Sequence, residues 1–157
     1  MAKSIPLTQG KSVIVDASNY EWLNSIPWRL SGSKNRYTYY ATHPAVGLMH
    51  RYILGVTDRN LYVDHINHDG LDNRRDNLRV CTLAENLRNQ RAKAGRFKGV
   101  SFYSKRIAKP WAAFIQENGK RKNLGYFATE IEAAQAYDKA ATVNYGEFAA
   151  LNFPKGA

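Results

Sequence analysis

The chain has 157 residues, 44% hydrophobic and 12% aromatic, which is enough for one domain or two small ones with packed cores. Its 23 Lys and Arg against 13 Asp and Glu give a net charge of +10, which favours nucleic acid over membrane as a partner. The single cysteine excludes an intramolecular disulfide framework and any zinc site built from several cysteines.

No apolar run approaches the length of a membrane span, and no apolar signal core follows Met1. We therefore expect no membrane partner and a cytoplasmic location.

Short strands and helices are predicted along the first half. Residues 11–16 are rich in β-branched side chains and predict a strand, after which Asp16 is placed to cap a helix over residues 17–23. The next predicted elements are strands at residues 28–30 and 37–41, joined by the polar loop 31–35, and a helix over residues 48–54 that ends at Gly55.

Residues 62–82 carry the greatest density of polar chemistry. An apolar pair leads into adjacent Asp64 and His65, and about ten residues dominated by Asn, Asp, Gly and Arg follow before a second apolar run. Turn residues between two strand-like runs predict a hairpin with an enlarged loop, and such loops often carry function. A helix is predicted next, over residues 83–91, with Leu83 and Leu87 on one face.

The pattern changes after a polar, basic stretch at residues 89–96, which predicts a linker between domains 1–92 and 93–157. The predicted elements beyond it are strands at residues 100–103, 111–117 and 123–127, with the hairpin turn Asn118-Gly119, and an amphipathic helix over residues 130–145 opened by Thr129 and Glu132. The second half is therefore predicted to be a three-stranded antiparallel sheet carrying one helix, which makes the whole chain α+β.

Positive charge is concentrated on the predicted sheet. Residues 93–127 contain nine basic groups and one acidic group, whereas the following helix is nearly balanced. A basic sheet that faces away from its helix is suited to lie on a phosphate backbone, with side chains free to enter a groove.

Three residues in and after the 62–82 stretch suit phosphodiester hydrolysis. This reaction needs a base for the attacking water, a cation beside the phosphate and relief of charge on the leaving oxygen. A hairpin followed by a helix would bring the Asn86 amide oxygen beside the Asp64 carboxylate, and hard oxygen ligands suit Mg²⁺. His65 is then available as a general base near neutral pH.

Four segments in this order and spacing resemble the phage and intron-encoded HNH homing endonucleases, over about residues 11–92: Leu48-Met49-His50-Arg51, Val63–Asn67, Asp72–Arg79 and Glu85-Asn86. The resemblance implies a ββα-metal (His-Me finger) fold with His65 as general base. It also implies that Asp64 and Asn86 bind one Mg²⁺ or Mn²⁺ ion and that Asn77 is the central asparagine that braces the loop. Candidate phosphate contacts are His50, Arg74, Arg75 and Arg79; a packed role for His50 and a solvated role for the arginines remain open.

Residues 96–154 resemble the APETALA2-type DNA-binding domain, through Phe97–Val100, Trp111–Ile115, Leu124–Phe127, Glu132–Asp138 and Asn144–Phe153. That resemblance implies a three-stranded sheet laid in the major groove of double-stranded DNA. The positions that match base- or phosphate-contacting sites are Lys98, Ser101, Tyr103, Gln116, Arg121 and Asn123, and Lys105 and Arg106 are predicted as general phosphate contacts.

The sequence thus predicts a site-specific, Mg²⁺-dependent DNA endonuclease, a homing enzyme by resemblance, and we expect it to be a monomer in the cytoplasm of a bacterial or phage-infected cell. One alternative is a sequence-specific DNA-binding regulator without nuclease activity. Another is an RNA-binding protein, although the sheet lacks the aromatic pairing expected of an RNA-stacking platform.

Overall fold

The structure, a computed structural model, describes residues 1–32 and 38–154. It mixes helices and sheets, so the predicted α+β class is confirmed. The chain forms two compact units, residues 1–86 and the residues from 87 onward, so the stretch predicted as a linker lies inside the second unit. None of the helices in the described ranges has the length and apolar character needed to cross a membrane.

The first unit is built from short elements. In chain order they are β1 (Ala2–Pro6), β2 (Ser12–Asp16), α1 (Ala17–Asn24), β3 (Arg29–Ser31), β4 (Tyr40–His43), β5 (Gly47–Leu48), α2 (Met49–Leu54), β6 (Tyr62–His65), β7 (Leu78–Cys81) and the start of α3 (Leu83–Asn89). The strands form three antiparallel sheets, β1–β2, β3–β4–β5 and β6–β7. Residues 33–35 of the predicted loop, and the start of the strand predicted at 37–41, lie outside the described residues.

The N-terminal hairpin of β1 and β2 supplies much of the core of this unit. Val13 and Val15 are fully buried on one face of β2, as its alternating pattern requires, and they pack with Leu23 and Met49. The strand β1 was not predicted, because its sequence, with one buried residue in five, has no clear alternation.

Asp16 does not cap α1 through its side chain, which corrects the sequence prediction. Although it occupies the position before the helix, its Oδ2 instead accepts a hydrogen bond from the backbone amide of Arg75, 2.8 Å away. This contact joins residues 59 positions apart.

The helix α3 differs from its prediction in two ways. It ends at Asn89 rather than at residue 91, and Leu83 and Leu87, which were predicted to form a helix face, are about half exposed. Thr82 and Glu85 explain where the helix begins: the Glu85 carboxylate accepts hydrogen bonds from the Thr82 amide and hydroxyl.

The second unit is a three-stranded sheet with one long helix: β8 (Val100–Phe102), β9 (Trp111–Glu117), β10 (Lys120–Phe127) and α4 (Glu130–Tyr145), with the strands in the order β10–β9–β8. Asn118 and Gly119 both have positive φ, 51° and 76°, which is the geometry of the two-residue hairpin turn predicted there. The side chain of Thr129 and that of Glu132 form the predicted capping box at the start of α4.

One face of α4 packs on the sheet. Tyr137, Ala141 and Tyr145 are buried with Ile115 of β9, whereas Ile131, which was predicted on the same face, is 55% exposed. The C-terminal tail is tied to this helix, because the Asp138 carboxylate accepts hydrogen bonds from the backbone amides of Asn152 and Phe153.

Candidate active site and nucleic-acid interface

The end of the β6–β7 hairpin brings the predicted catalytic side chains together. Asp64 pairs across the sheet with Arg79, and His65 pairs with Leu78. Asp64 and His65 are each only 6% exposed. The guanidinium of Arg79 donates from Nε and Nη2 to Oδ2 of Asp64, over 3.0 and 2.8 Å. The arginine predicted to contact phosphate is therefore an ion-pair partner of the predicted metal ligand.

Asn77 joins the two ends of the loop between these strands. Its Oδ1 accepts from the amide of Asn67, and its Nδ2 donates to the Asn67 side-chain oxygen and to the carbonyl of Asp72. Its own carbonyl accepts from the amide of Ile66, the residue after His65. Asn77 is buried, so these bonds are shielded from water and hold the backbone that follows His65.

Two rings and one amide surround His65. The His50 ring lies edge-on at 4.9 Å between centroids, and the Tyr40 ring lies 5.8 Å away. Burial lowers the pKa of His65, whereas the polar side chain of Asn73 and three nearby carboxylates act in the opposite direction. Since burial is the larger influence, His65 is held in the neutral form that can accept a proton.

His50 is a buried residue and not a surface one. It is 5% exposed, and its Nδ1 has no hydrogen-bond partner within residues 1–32 and 38–154. Burial, reinforced by His65 and Arg51, lowers the pKa of His50 to about 3. This burial is at odds with the phosphate contact predicted for His50 and agrees with the packed role.

The other two loop arginines also have partners inside the chain. Arg74 donates from Nε and Nη2 to the Asp72 carboxylate, over 2.8 and 2.7 Å, and it lowers the pKa of that carboxyl group. Arg75 donates from Nη2 to the carbonyl of Ile53 at the end of α2. Both arginines therefore stabilise the loop, although Arg75 is exposed and the Arg74 side chain is 39% exposed, and their contact with phosphate stays a prediction.

Asn86 lies in the middle of α3, half-buried, and its backbone amide donates to the carbonyl of Thr82. Within the part of the chain that the structure describes, no group of three or more His, Cys, Asp or Glu could hold a metal ion. The donors predicted here are instead one carboxylate and one amide oxygen, from Asp64 and Asn86. Both are hard oxygen ligands, so their chemistry fits Mg²⁺ or Mn²⁺ with water completing the coordination.

The register of the second sheet gathers the predicted DNA-contacting residues on the face opposite α4. Ser101 lies across from Ala112, Gln116 across from Arg121, and Phe114 across from Asn123. Cross-strand partners share a face, and alternate residues of β9 do too, so all of these side chains leave the side opposite buried Ile115. We call this surface the recognition face.

Two arginines on the recognition face stack on aromatic rings. The guanidinium carbon of Arg121 lies 3.6 Å from the centre of the Phe114 ring, and that of Arg106 lies 3.7 Å from the Tyr126 ring. Tyr103 lies between them, with its ring 6.3 Å from Phe114 and 6.2 Å from Tyr126. Stacking fixes the guanidinium planes while leaving their N–H edges available for hydrogen bonds.

Lys98 is directed elsewhere. Its Nζ donates to the backbone carbonyls of Leu87, Arg88 and Gln90 at the end of α3, and burial lowers its pKa to about 8. Its backbone amide donates to Asn152. Lys98 therefore serves as a C-terminal helix cap in this structure, and its predicted DNA contact has no support from this geometry. Lys105 is exposed in the loop after β8.

Residues 48–88 match the HNH endonuclease family model. The chain is also 36% identical, over 109 residues, to an uncharacterized HNH endonuclease of Acanthamoeba polyphaga mimivirus, an alignment that covers 66% of this chain and 56% of that protein. The resemblance to HNH endonucleases is confirmed. The matched residues include Asp64, His65, Asn77 and Asn86.

The C-terminal portion is similar to plant proteins with AP2-type DNA-binding domains. It is 46% identical over 70 residues to the dehydration-responsive element-binding protein 2E of Arabidopsis thaliana, covering 38% of this chain and 28% of that protein. An AP2-like ethylene-responsive transcription factor of the same plant is 41% identical over 74 residues, covering 47% of this chain and 15% of that protein. The chain thus spans about half the length of the viral relative and less than a third of either plant protein.

Sequence reasoning missed four residues that build these surfaces. Asn73 and Tyr40 adjoin His65, and Tyr126 and Phe114 carry the two stacked arginines. Asn73 lies within the polar stretch at residues 62–82, so its position alone could have marked it as a candidate site residue. Tyr40 and Tyr126 offered none, because their roles depend on His65 and Arg106, which are 25 and 20 residues away.

Proposed function

We propose that this protein is a site-specific DNA endonuclease of the ββα-metal type. The observation that supports it most is that buried Asp64 and His65 adjoin each other at the end of β6, with Asn77 bracing the following loop, inside the segment that matches the HNH family model. The recognition face of the second unit, with its two stacked arginines, would deliver this site to double-stranded DNA.

In this mechanism His65 accepts the proton of a water molecule that attacks the phosphorus in line. A neutral imidazole is required, and burial of His65 favours that form. Asn77 holds the loop and the backbone that follows His65, so that the imidazole keeps one position. The products would carry a 5′-phosphate and a 3′-hydroxyl.

Asp64 and Asn86 are the residues that would hold one divalent cation. When bound, that ion would supply positive charge next to the phosphate and the departing 3′ oxygen. Their oxygen donors suit Mg²⁺ or Mn²⁺. The Arg79 guanidinium, which forms an ion pair with Asp64, would compete with that cation for the same carboxylate.

That ion pair favours a second candidate function, a DNA-binding regulator without nuclease activity, because it already neutralises the carboxylate. The two functions differ in one measurement. A regulator would bind duplex DNA with strong salt dependence and leave it intact.

The decisive experiment incubates the purified chain with supercoiled plasmid in Mg²⁺, in Mn²⁺ and in EDTA, and separates nicked from linear products. We expect cleavage with either metal, none in EDTA and none by His65→Asn. His68→Asn is the matched control, since it removes a loop histidine at a left-handed position that asparagine tolerates. Intact plasmid with every metal, together with retained DNA binding, would establish the regulator instead.

A homing role is the finer part of the proposal, and it rests on the resemblance to phage and intron-encoded enzymes. It requires cleavage at a locus that lacks the insertion and no cleavage once the insertion interrupts the target. Mapping the cut ends in a library of random DNA would define the target, and a monomeric enzyme would release nicked circles before linear DNA.

A further inference from the structure

The N-terminal hairpin contacts the loop that carries the proposed catalytic residues. The amide of Ile14 donates to the carbonyl of Leu71, and the amide of Asn73 donates to the carbonyl of Ile14, each over 2.8 Å. These two bonds make a short parallel bridge between β2 and the loop. The strand β2 is fixed in turn, because Val13 and Val15 on either side of Ile14 are fully buried.

Asp16 adds a third hydrogen bond between the N-terminal hairpin and this loop. Its Oδ2 accepts from the backbone amide of Arg75 over 2.8 Å, and no first-turn amide of α1 uses it. An aspartate at the start of a helix ordinarily stabilises that helix by capping it. Here the carboxylate is committed to a residue 59 positions away, and a hydrogen bond to a charged acceptor is stronger than a neutral one.

The segment held in this way lies next to the proposed general base. Asn73 is fully buried in this segment, and Asn77, which follows Arg75 by two residues, accepts at its carbonyl a hydrogen bond from the amide of Ile66, the residue after His65. Arg75 begins the short 3-10 turn that delivers Asn77. Displacement of the Arg75 amide would therefore move both asparagines that border His65.

We infer that Asp16 is a positioning residue for His65, acting through the backbone amide of Arg75. This inference rests on the proposed nuclease function. Asp16 lies outside residues 48–88, which match the family model, so the brace belongs to the part of the chain that precedes it. It would make the N-terminal hairpin a component of the catalytic unit and not an appendage.

The first test compares Asp16→Ala with Asp16→Asn in plasmid nicking by the full chain. We expect Asp16→Ala to lower kcat by about tenfold with KM for DNA unchanged, because DNA binding is intact while the base is misplaced. Asparagine retains an oxygen that accepts from Arg75, so Asp16→Asn should recover most of the activity. Glu21→Ala, an exposed acidic residue of α1, is the matched control and should equal the wild type.

A second pair of variants tests the same bond from its donor. Arg75→Pro removes the Arg75 side chain and the amide N–H that donates to Asp16. Proline is tolerated at the first position of this turn, because Arg74 before it has an extended backbone. Arg75→Ala removes the side chain but keeps the amide. We expect Arg75→Pro to be slower than Arg75→Ala, and Asp16→Ala to add no further loss in the Arg75→Pro background.

Hydrogen exchange separates this inference from the nuclease proposal. In Asp16→Ala the amides of Asn73 and Asn77 should exchange about tenfold faster, whereas amides of α4 should not change, and Asp16→Asn should restore protection. This readout works even if the wild type cuts no DNA. Unchanged exchange in Asp16→Ala would overturn the inference whether or not the wild type cuts DNA. If the wild type cuts DNA, equal activity of Arg75→Pro and Arg75→Ala, or failure of Asp16→Asn to recover activity, would also overturn it.

Discussion

The ring of His50 meets the ring of His65 edge-on, with 4.9 Å between their centroids, and both rings are buried. Two imidazoles at this distance cannot both be protonated without repulsion in a medium that screens charge poorly. Burial and this neighbour lower the pKa of His50 to about 3, and burial lowers the pKa of His65. The pair therefore links the stability of the first unit to pH.

We predict that the first unit loses stability as pH falls from 6.5 toward 3. In the unfolded chain His50 takes up a proton near its usual pKa of 6.5, whereas in the folded chain it stays neutral until about 3. The unfolded state thus binds more protons across this window, at a cost to folding of up to about 1.4 kcal/mol per pH unit. His50→Gln should flatten this dependence, as measured by urea unfolding at several pH values. Parallel stability curves for the variant and the wild type would contradict it.

Asn77 should be among the most sensitive polar residues of the first unit. Asn77→Ala removes an acceptor and a donor that serve Asn67 and Asp72, in a buried site, and we expect a loss of about 2–4 kcal/mol in unfolding free energy. Asn60→Ala, at an exposed position, is the matched control and should change stability by less than about 0.5 kcal/mol. Equal effects of the two substitutions in denaturant titrations would argue against the bracing role.

Two glycines with nearly the same φ should respond differently to alanine. Gly99 and Gly119 have φ of 74° and 76°, so each substitution carries about 1–2 kcal/mol of backbone strain. A Cβ at Gly119 meets nothing within 4 Å, but a Cβ at Gly99 would lie 2.0 Å from the Tyr137 ring and 2.7 Å from the carbonyl of Phe114. Gly99→Ala should therefore unfold the second unit well before Gly119→Ala does, as followed by thermal melting of each variant. Similar melting temperatures would show that the Tyr137 contact yields easily.

The elements predicted most accurately from sequence are those whose start, end or turn is marked by residues close together in the chain. The helix α4 starts and ends where its capping box and apolar spacing place it, and the Asn118-Gly119 turn sets the register of β9 and β10. What could not be predicted depends on residues far apart in sequence: Asp16 accepts from the backbone amide of Arg75 and not from an amide of α1, and Arg79 forms an ion pair with Asp64. Nothing in either local sequence distinguishes these partners from solvent.

On the recognition face, Arg121 should contribute to DNA-binding affinity both through its charge and through the planar shape of its guanidinium group. Arg121→Lys keeps the positive charge but loses the planar group that stacks 3.6 Å above Phe114, so we expect weaker binding to the target by about fivefold with an unchanged salt dependence. Arg121→Ala should weaken binding further and reduce the slope of log affinity against log salt concentration by about one.

Lys122→Ala is the matched control for this series. Lys122 is the next residue of β10, so its side chain leaves the opposite face of the sheet, where its Nζ bonds to the carboxylate of Glu117. It should therefore leave both affinity and salt slope close to the wild-type values in fluorescence anisotropy titrations with duplex DNA. If Lys122→Ala reduced the slope as much as Arg121→Ala, DNA would not be bound by the recognition face, because only general charge would be at work. If Arg121→Lys equalled the wild type, the stacking on Phe114 would have no part in binding, and the ring would be explained by packing alone.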